Sequence, residues 1–210
     1  MFKLISTNSS SYPAKLFRLQ KPPKEFYFAG DLRCFSMKTV GIIGSRRPTE
    51  YGVNVVRYLV PKFVEKGFLV VSGLASGIDS LAQQTALQAG GSSIGVLGYG
   101  YKFMQKDTTA KLGVELTKTH SSGVISCFRP YEYPKKWTFI NRNSIIAGLS
   151  DLLVVIEATV HSGTNYTVNA ALELGIDIYA VPGSIFSHNS KGTHLLIRNG
   201  AHLLSDINDL

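Results

Sequence analysis

Residues 38–91 read KTVGIIGSRRPTEYGVNVVRYLVPKFVEKGFLVVSGLASGIDSLAQQTALQAGG, and the fold follows from how this stretch is punctuated. Two continuous apolar runs, TVGIIG (39–44) and FLVVS (68–72), each lead through a small-residue turn into a segment with helical spacing. The first such segment covers residues 50–66, with Pro61 predicting a kink. The second is IDSLAQQTALQA (78–89), closed by Gly90 and Gly91. Apolar runs without polar alternation mark strands buried on both faces, as in a parallel sheet covered by helices.

The same alternation continues to the end of the chain. SIGVLG (93–98) is a third strand, followed by a polar helix near 107–118 and the strand GVISC (123–127). The helix RNSIIAGLS (142–150) precedes the strand DLLVVIEA (151–158). A helix over 164–174, the strand DIYAVPG (177–183), then HLLIRNG and AHLL complete the unit. The predicted class is α/β: a doubly wound, mostly parallel sheet of extended Rossmann-like form over residues 38–210.

Residues 1–37 read differently. Lys3, Lys15, Arg18, Lys21, Lys24 and Arg33 face only Glu25 and Asp31. SSSYP and KPPKE are turn or extended segments, because proline restricts itself and its predecessor. This stretch is expected to be a short basic arm packed on the core, with EFYFAGD (25–31) as an edge strand and the charges as a solvated face.

Composition bounds the function. Hydrophobic residues at 44% of 210 can bury a core without staples. Cys34 and Cys127 are too far apart in sequence for a CxxC zinc site, and the five histidines lack ligand spacing, so no metal or other cofactor is expected. No apolar run reaches membrane-spanning length, and the opening MFKLISTNSSSYPAK has no secretory h-region, which leads to the expectation of a cytoplasmic protein without membrane contact. A net charge of +8 points to anionic partners.

In a doubly wound sheet, ligands bind at the carboxyl ends of the strands near the switch point. After the first strand, Arg46 and Arg47 present planar forks suited to phosphate oxygens, beside Gly44. One of the two arginines is expected to face ligand. The other is expected to pair internally with a carboxylate such as Asp79 or Glu157. After the second strand, Ser72, Gly73, Ser76 and Gly77 lead into a helix whose free N–H groups favour an anion, with Asp79 in its first turn. LGYGYK (97–102) offers Tyr99 and Tyr101 for stacking, but GxGxxG and GxxxxGK[ST] are both missing.

RPYEYPKKWTFINRNS (129–144) interleaves basic and aromatic residues in a Pro-containing loop, a pattern suited to single-stranded nucleic acid. Trp137 is read as a core anchor and Phe139 as a stacking ring. Ser162, Gly163 and Thr164 cap the helix after the fifth strand and would extend the anion site, and Ser184, Lys191 and Thr193 follow the sixth. GSSIG (91–95) spells GxSxG, yet it precedes a strand, so it is no nucleophile elbow and no catalytic residue is assigned.

Taken in order, YPAKLFRLQKPPKEFYFAGDL, GIIGSRRPTEYG, VVSGLASGIDSLAQQTAL, GVLGYG, FINRNSIIAGLSDLLVVIEA, SGT, YAVPGS and KGTHLLIRNGA resemble the DNA-processing protein A (DprA/Smf) family from about Tyr12 onward. The resemblance implies a single-stranded DNA-binding homodimer, not an enzyme, that protects incoming DNA in natural transformation and loads the RecA recombinase. It implies that Arg47 grips a phosphate beside Gly73–Gly77. Lys136 would hold backbone and Phe139 would stack a base, while Arg142 and Asn143 match the family's RN pair. The chain departs from the pattern at Ser76, Ile140 and Ser144, where the family usually has a basic residue, Pro and Arg. It is expected to be a minimal form without the helical and winged-helix-like domains of many members. The alternative is a nucleoside-monophosphate phosphoribohydrolase of the lonely-guy type, whose PGGxGTxxE loop is faintly echoed by Thr159–Val168, with Glu173 too far along to match.

Overall fold

The computed structural model describes residues 1–210. Nine strands form one sheet: β1 (Lys3–Ser6), β2 (Glu25–Gly30), β3 (Thr39–Ile43), β4 (Leu69–Ser72), β5 (Ser93–Leu97), β6 (Gly123–Ser126), β7 (Leu152–Val155), β8 (Asp177–Ala180) and β9 (His202–Leu203). Their order is β1-β2-β6-β5-β4-β3-β7-β8-β9. From β6 to β9 every neighbouring pair is parallel, and only β1–β2 and β2–β6 are antiparallel. The chain steps outward from β3 through β4 and β5 to β6, then returns to the other side of β3 for β7. That reversal is the switch point, and it opens a crevice between the carboxyl ends of β3 and β7.

The strands bury both faces, as their apolar runs require. Leu69, Val71, Leu153, Val155 and Ile178 point into one core, together with Ile145, Ile146 and Leu149 of α4 (Lys136–Leu149) and Val168 and Ala171 of α5 (Thr164–Glu173). Val40, Ile42, Val70, Val154 and Ile156 alternate into the opposite core. There they meet Val56, Leu59, Val60 and Phe63 of α1 (Glu50–Glu65) and Ile78, Ala82 and Ala86 of α2 (Ile78–Gln88). The short α3 (Ala110–Leu116) covers β5 and β6 through Leu112 and Leu116, and α6 (Lys191–Arg198) precedes β9. α1 runs continuously through Pro61.

The arm differs from its sequence reading. β2 is an interior strand, flanked by β1 and β6; β1 forms the edge. Phe26 and Phe28 of β2 and Leu16 of the intervening 3-10 turn are core residues, so the alternation in EFYFAG reflects burial on one face. Nor are all the arm's cations solvated. Lys15 Nζ donates to Asp151 Oδ2 (2.6 Å), Thr39 Oγ1 (2.9 Å) and the Met37 carbonyl (3.1 Å), while Arg18 donates to the carbonyls of Gly148 and Ser150.

A cationic crevice at the switch point

The loop after β3 is shaped by close contacts. Gly44 admits no Cβ, which would lie 2.8 Å from Ile78 Cγ1. Thr49 caps α1, accepting from the Gly52 N–H at 3.3 Å. Glu157 accepts from the Thr49 N–H (2.9 Å) and hydroxyl (2.5 Å), and a Cβ on Gly52 would collide with that carboxylate. Ser45 Oγ accepts from the Arg47 N–H at 3.1 Å, and Asn189 Nδ2 donates to the Arg47 carbonyl at 3.0 Å. The backbone of this loop is fixed from both sides, and the side chains of Arg46 and Arg47 are left exposed.

Neither arginine forms an ion pair, contrary to the expectation that one would be structural. The internal partner of Asp79 is Arg142, at 3.6 Å between Nη1 and Oδ2, and Glu157 serves Thr49 instead. Arg142 projects from α4 into the space over β4, where Asp79 also accepts the Gly73 N–H at 3.1 Å. Both groups are buried. Burial pushes the guanidinium down and is opposed by the Asp79 charge, with Arg46 adding to the downward shift; burial likewise pushes the Asp79 carboxyl up against the pull of Arg142. Arg142 Nε has no hydrogen-bond partner. Arg142 is therefore a buried residue of the crevice wall, with its guanidinium turned to Asp79.

Gly73 is tied to this pair, because a Cβ there would stand 1.3 Å from Arg142 Nη1. Ser72 is fully buried and donates to the Ile42 carbonyl at 2.6 Å. The α2 turn is satisfied in part: the Leu74 N–H donates to Gln83 Oε1 and the Ile78 N–H to Ser45 O. Gly77 is needed at φ 89°, where a Cβ would meet Ser45 O at 2.4 Å. Ser76 is exposed and bonded to Thr108 at 3.2 Å. Ser72, Gly73, Ser76 and Gly77 thus shape the crevice from behind or beside it, without lining it.

The crevice has a volume of about 1050 Å³ and is lined by Arg46, Arg47, Lys136, Phe139, Asn143, Ser162 and Gly163, among others. Lys191 stands apart, at the start of α6. Asn143 Nδ2 donates to the Gly163 carbonyl at 3.3 Å, and Ser162 Oγ accepts from the Thr164 N–H at 3.1 Å, so the α5 cap and α4 share one wall. Sequence reading missed Asn189, His161 and Asn169 on this lining. Only Asn189 carried a signal, as an asparagine beside a helix start.

The stretch 129–144 was read as a loop, but α4 already begins at Lys136. The Thr138 hydroxyl accepts from the Lys135 N–H at 3.0 Å, which starts the helix two turns before the apolar RNSIIAGLS pattern. Trp137 is 48% exposed and does not anchor the core. Phe139 is half-buried: one edge packs on Gly98 and on Tyr99, 6.5 Å between ring centroids. Arg46 lies 5.6 Å from its ring centre and Arg142 5.9 Å. Tyr99 is buried, its hydroxyl donating to Asp107 at 2.5 Å, and is unavailable for stacking.

The crevice thus gathers four cations, Arg46, Arg47, Lys136 and Arg142, against one carboxylate, Asp79, which is held by Arg142. Fold and crevice together define a class: a doubly wound α/β protein with a cationic, aromatic-floored cleft at its switch point. Within that class the chain belongs to the family described as DNA recombination-mediator protein A, whose model matches residues 3–210. It is similar to DNA processing protein DprA of Bacillus subtilis, 36% identical over 98% of this chain and 69% of the relative. With DprA of Streptococcus pneumoniae the identity is 35%, over 100% of this chain and 73% of the relative. The solved structure of the Streptococcus pneumoniae protein superposes with a TM-score of 0.93 over 99% of this chain and 72% of that one. A structure of DNA processing protein A from Helicobacter pylori, concerned with its single-stranded DNA binding mode, gives 0.87 at 26% identity, over 99% and 94%. No helix is long and apolar enough to cross a membrane.

Proposed function

We propose that this chain acts in DNA processing by holding single-stranded DNA in the switch-point crevice, and that it presents the strand to a RecA-type recombinase as a homodimer. The observation that carries the DNA reading is Phe139, a half-exposed ring beside Arg46 in a crevice whose only carboxylate is already paired. A base can stack on the open face of the ring while Arg47 and Lys136 take phosphates. Family membership and the single-stranded DNA mode of the Helicobacter pylori relative support the same reading. The recombinase and the dimer rest on the family alone.

The hydrolase alternative needs a carboxylate at the ligand. Asp79 is engaged by Arg142, and Glu157 is buried under the cap of α1, so the crevice favours binding over bond cleavage. Release of adenine from AMP would restore the hydrolase reading.

A dT oligonucleotide should compete for the protein far better than its duplex, in which bases cannot reach Phe139. Equal competition by the duplex would remove the single-strand reading. Arg47, exposed and unpaired, should contribute one phosphate contact. Arg47→Ala is expected to reduce the magnitude of the log–log salt slope of binding by about 0.7. An unchanged slope with a lower unfolding temperature would make Arg47 structural.

A further inference from the structure

Phe139 is not the last ring on this side of the molecule. The segment before α4 is zipped along the 3-10 turn Tyr101–Lys106: the Gly100 N–H donates to Glu132 O at 2.9 Å, and the Lys102 N–H to Pro130 O at 3.1 Å. Gly100 is required here, since a Cβ would lie 2.1 Å from Arg129 O. This zipper holds rings outward rather than burying them. Tyr131 is 70% and Tyr133 65% exposed, and Tyr133 packs on Phe103 with 4.5 Å between centroids.

Cations sit among these rings. Lys102 Nζ is 5.9 Å from the Tyr131 ring centre, and Lys106 Nζ is 5.8 Å from that of Phe103. The neighbouring acids are engaged: Glu132 pairs with Lys135 at 3.0 Å, and Asp107 accepts from Tyr99 and Thr109. Lys135 lies 5.9 Å from the Trp137 ring centre, and the next residue, Lys136, lines the crevice. The strip is therefore continuous with the crevice through the first turn of α4. Exposed rings alternating with lysines match a polymer that offers flat bases and regularly spaced phosphates.

We propose that this strip is a second subsite for the same single-stranded polynucleotide: the strand leaves the crevice past Lys136 and stacks on Tyr133 and Tyr131, with Lys102 and Lys106 on its phosphates. The proposal rests on the single-strand reading of the crevice. It predicts a footprint longer than the crevice alone can hold.

The test is a dT series from about 4 to about 16 nucleotides, the range of site sizes of comparable single-strand binders. The only tryptophan, Trp137, gives the optical signal at the junction. Affinity should rise in two stages with length, and quenching of Trp137 should grow with the second. Tyr131→Ala/Tyr133→Ala should weaken the long oligonucleotides at least about five-fold per stacked ring, and leave the shortest bound one and the unfolding temperature unchanged. Tyr133→Trp should retain the second stage. Lys102→Ala/Lys106→Ala should lower the salt slope for long oligonucleotides by about 1.4, with no change for short ones.

If these variants bind long dT as tightly as the parent, the strip is no DNA subsite, and a protein partner becomes its better occupant while the crevice reading stands. Equal weakening of short and long oligonucleotides would also overturn the second subsite, because the defect would then lie in the crevice. A parent protein that binds no single strand at all would instead bring down the crevice reading, and the proposal with it.

Discussion

Arg142→Ala is expected to cost about 3–5 kcal/mol of stability, lowering the unfolding temperature by roughly 6–20 °C for a chain of this length. The substitution leaves the Asp79 carboxylate buried with the Gly73 N–H as its remaining hydrogen-bond donor among those that now face it across the turn. A buried charge without its counter-ion is among the largest single-residue penalties in a folded protein. Two controls separate this from simple loss of packing. Asp79→Ala/Arg142→Ala should be less destabilised than Arg142→Ala alone, since the orphaned charge is gone. The deficit of the single variant should also shrink as pH falls. A carboxyl whose folded pKa is raised contributes stability when protonated and loses it as pH rises through that pKa. Denaturant unfolding of the three proteins across pH measures both effects. An unchanged melting curve combined with a large loss of DNA affinity would place the guanidinium on the ligand instead.

Phe139→Ala should have the larger effect on binding. A ring stacked on a base is worth about 1–3 kcal/mol by alanine substitution, roughly five-fold to over a hundred-fold in affinity. The loss should be nearly independent of salt, because no phosphate contact disappears. Because only one edge of the ring packs on Gly98 and Tyr99, the stability cost should fall well below the ~3–5 kcal/mol of a fully buried phenylalanine. Phe139→Tyr should keep most of the affinity, and Phe139→Leu should keep the stability without it. A collapse in stability with Phe139→Ala would make the residue a core group and move the stacking role to Tyr131 or Tyr133.

The sheet was legible because its strands are apolar on both faces and separated by glycine-rich turns. The crevice was legible in outline because the switch point fixes which strand ends carry a ligand. What escaped was set by contacts between segments far apart in the chain. Whether Arg46 or Arg142 pairs with Asp79 depends on which face of α4 turns inward, and that face is fixed by the packing of Ile145, Ile146 and Leu149 in the core. The apolar pattern placed the start at Arg142, whereas the Lys135–Thr138 capping interaction places it at Lys136. That shift puts Phe139 on a helix facing the crevice and turns Trp137 to solvent. β2 was taken for an edge strand because nothing local announces β1, four residues whose pairing is purely long-range. In the turn at Ser72–Gly77, composition alone does not reveal that the Gly73 and Leu74 N–H groups are already bonded to Asp79 and Gln83.

The antiparallel pair formed by β1 and β2 has a consequence for how the protein is made. β2 leaves the ribosome well before its interior partner β6, which pairs Gly30 with Gly123, about ninety residues later. At a synthesis rate of ~5–20 residues per second, the arm must wait roughly 5–20 s before that partner exists. During the wait, Phe26 and Phe28 lack the strand that flanks them on the inner side of the sheet. β3, β4 and β5 follow one another in the chain and pair directly, so vectorial folding is expected to proceed from the middle of the sheet outward, with β2 docking late. A nascent chain arrested before Gly123 has emerged should accordingly show a protease-sensitive arm ahead of a protected centre.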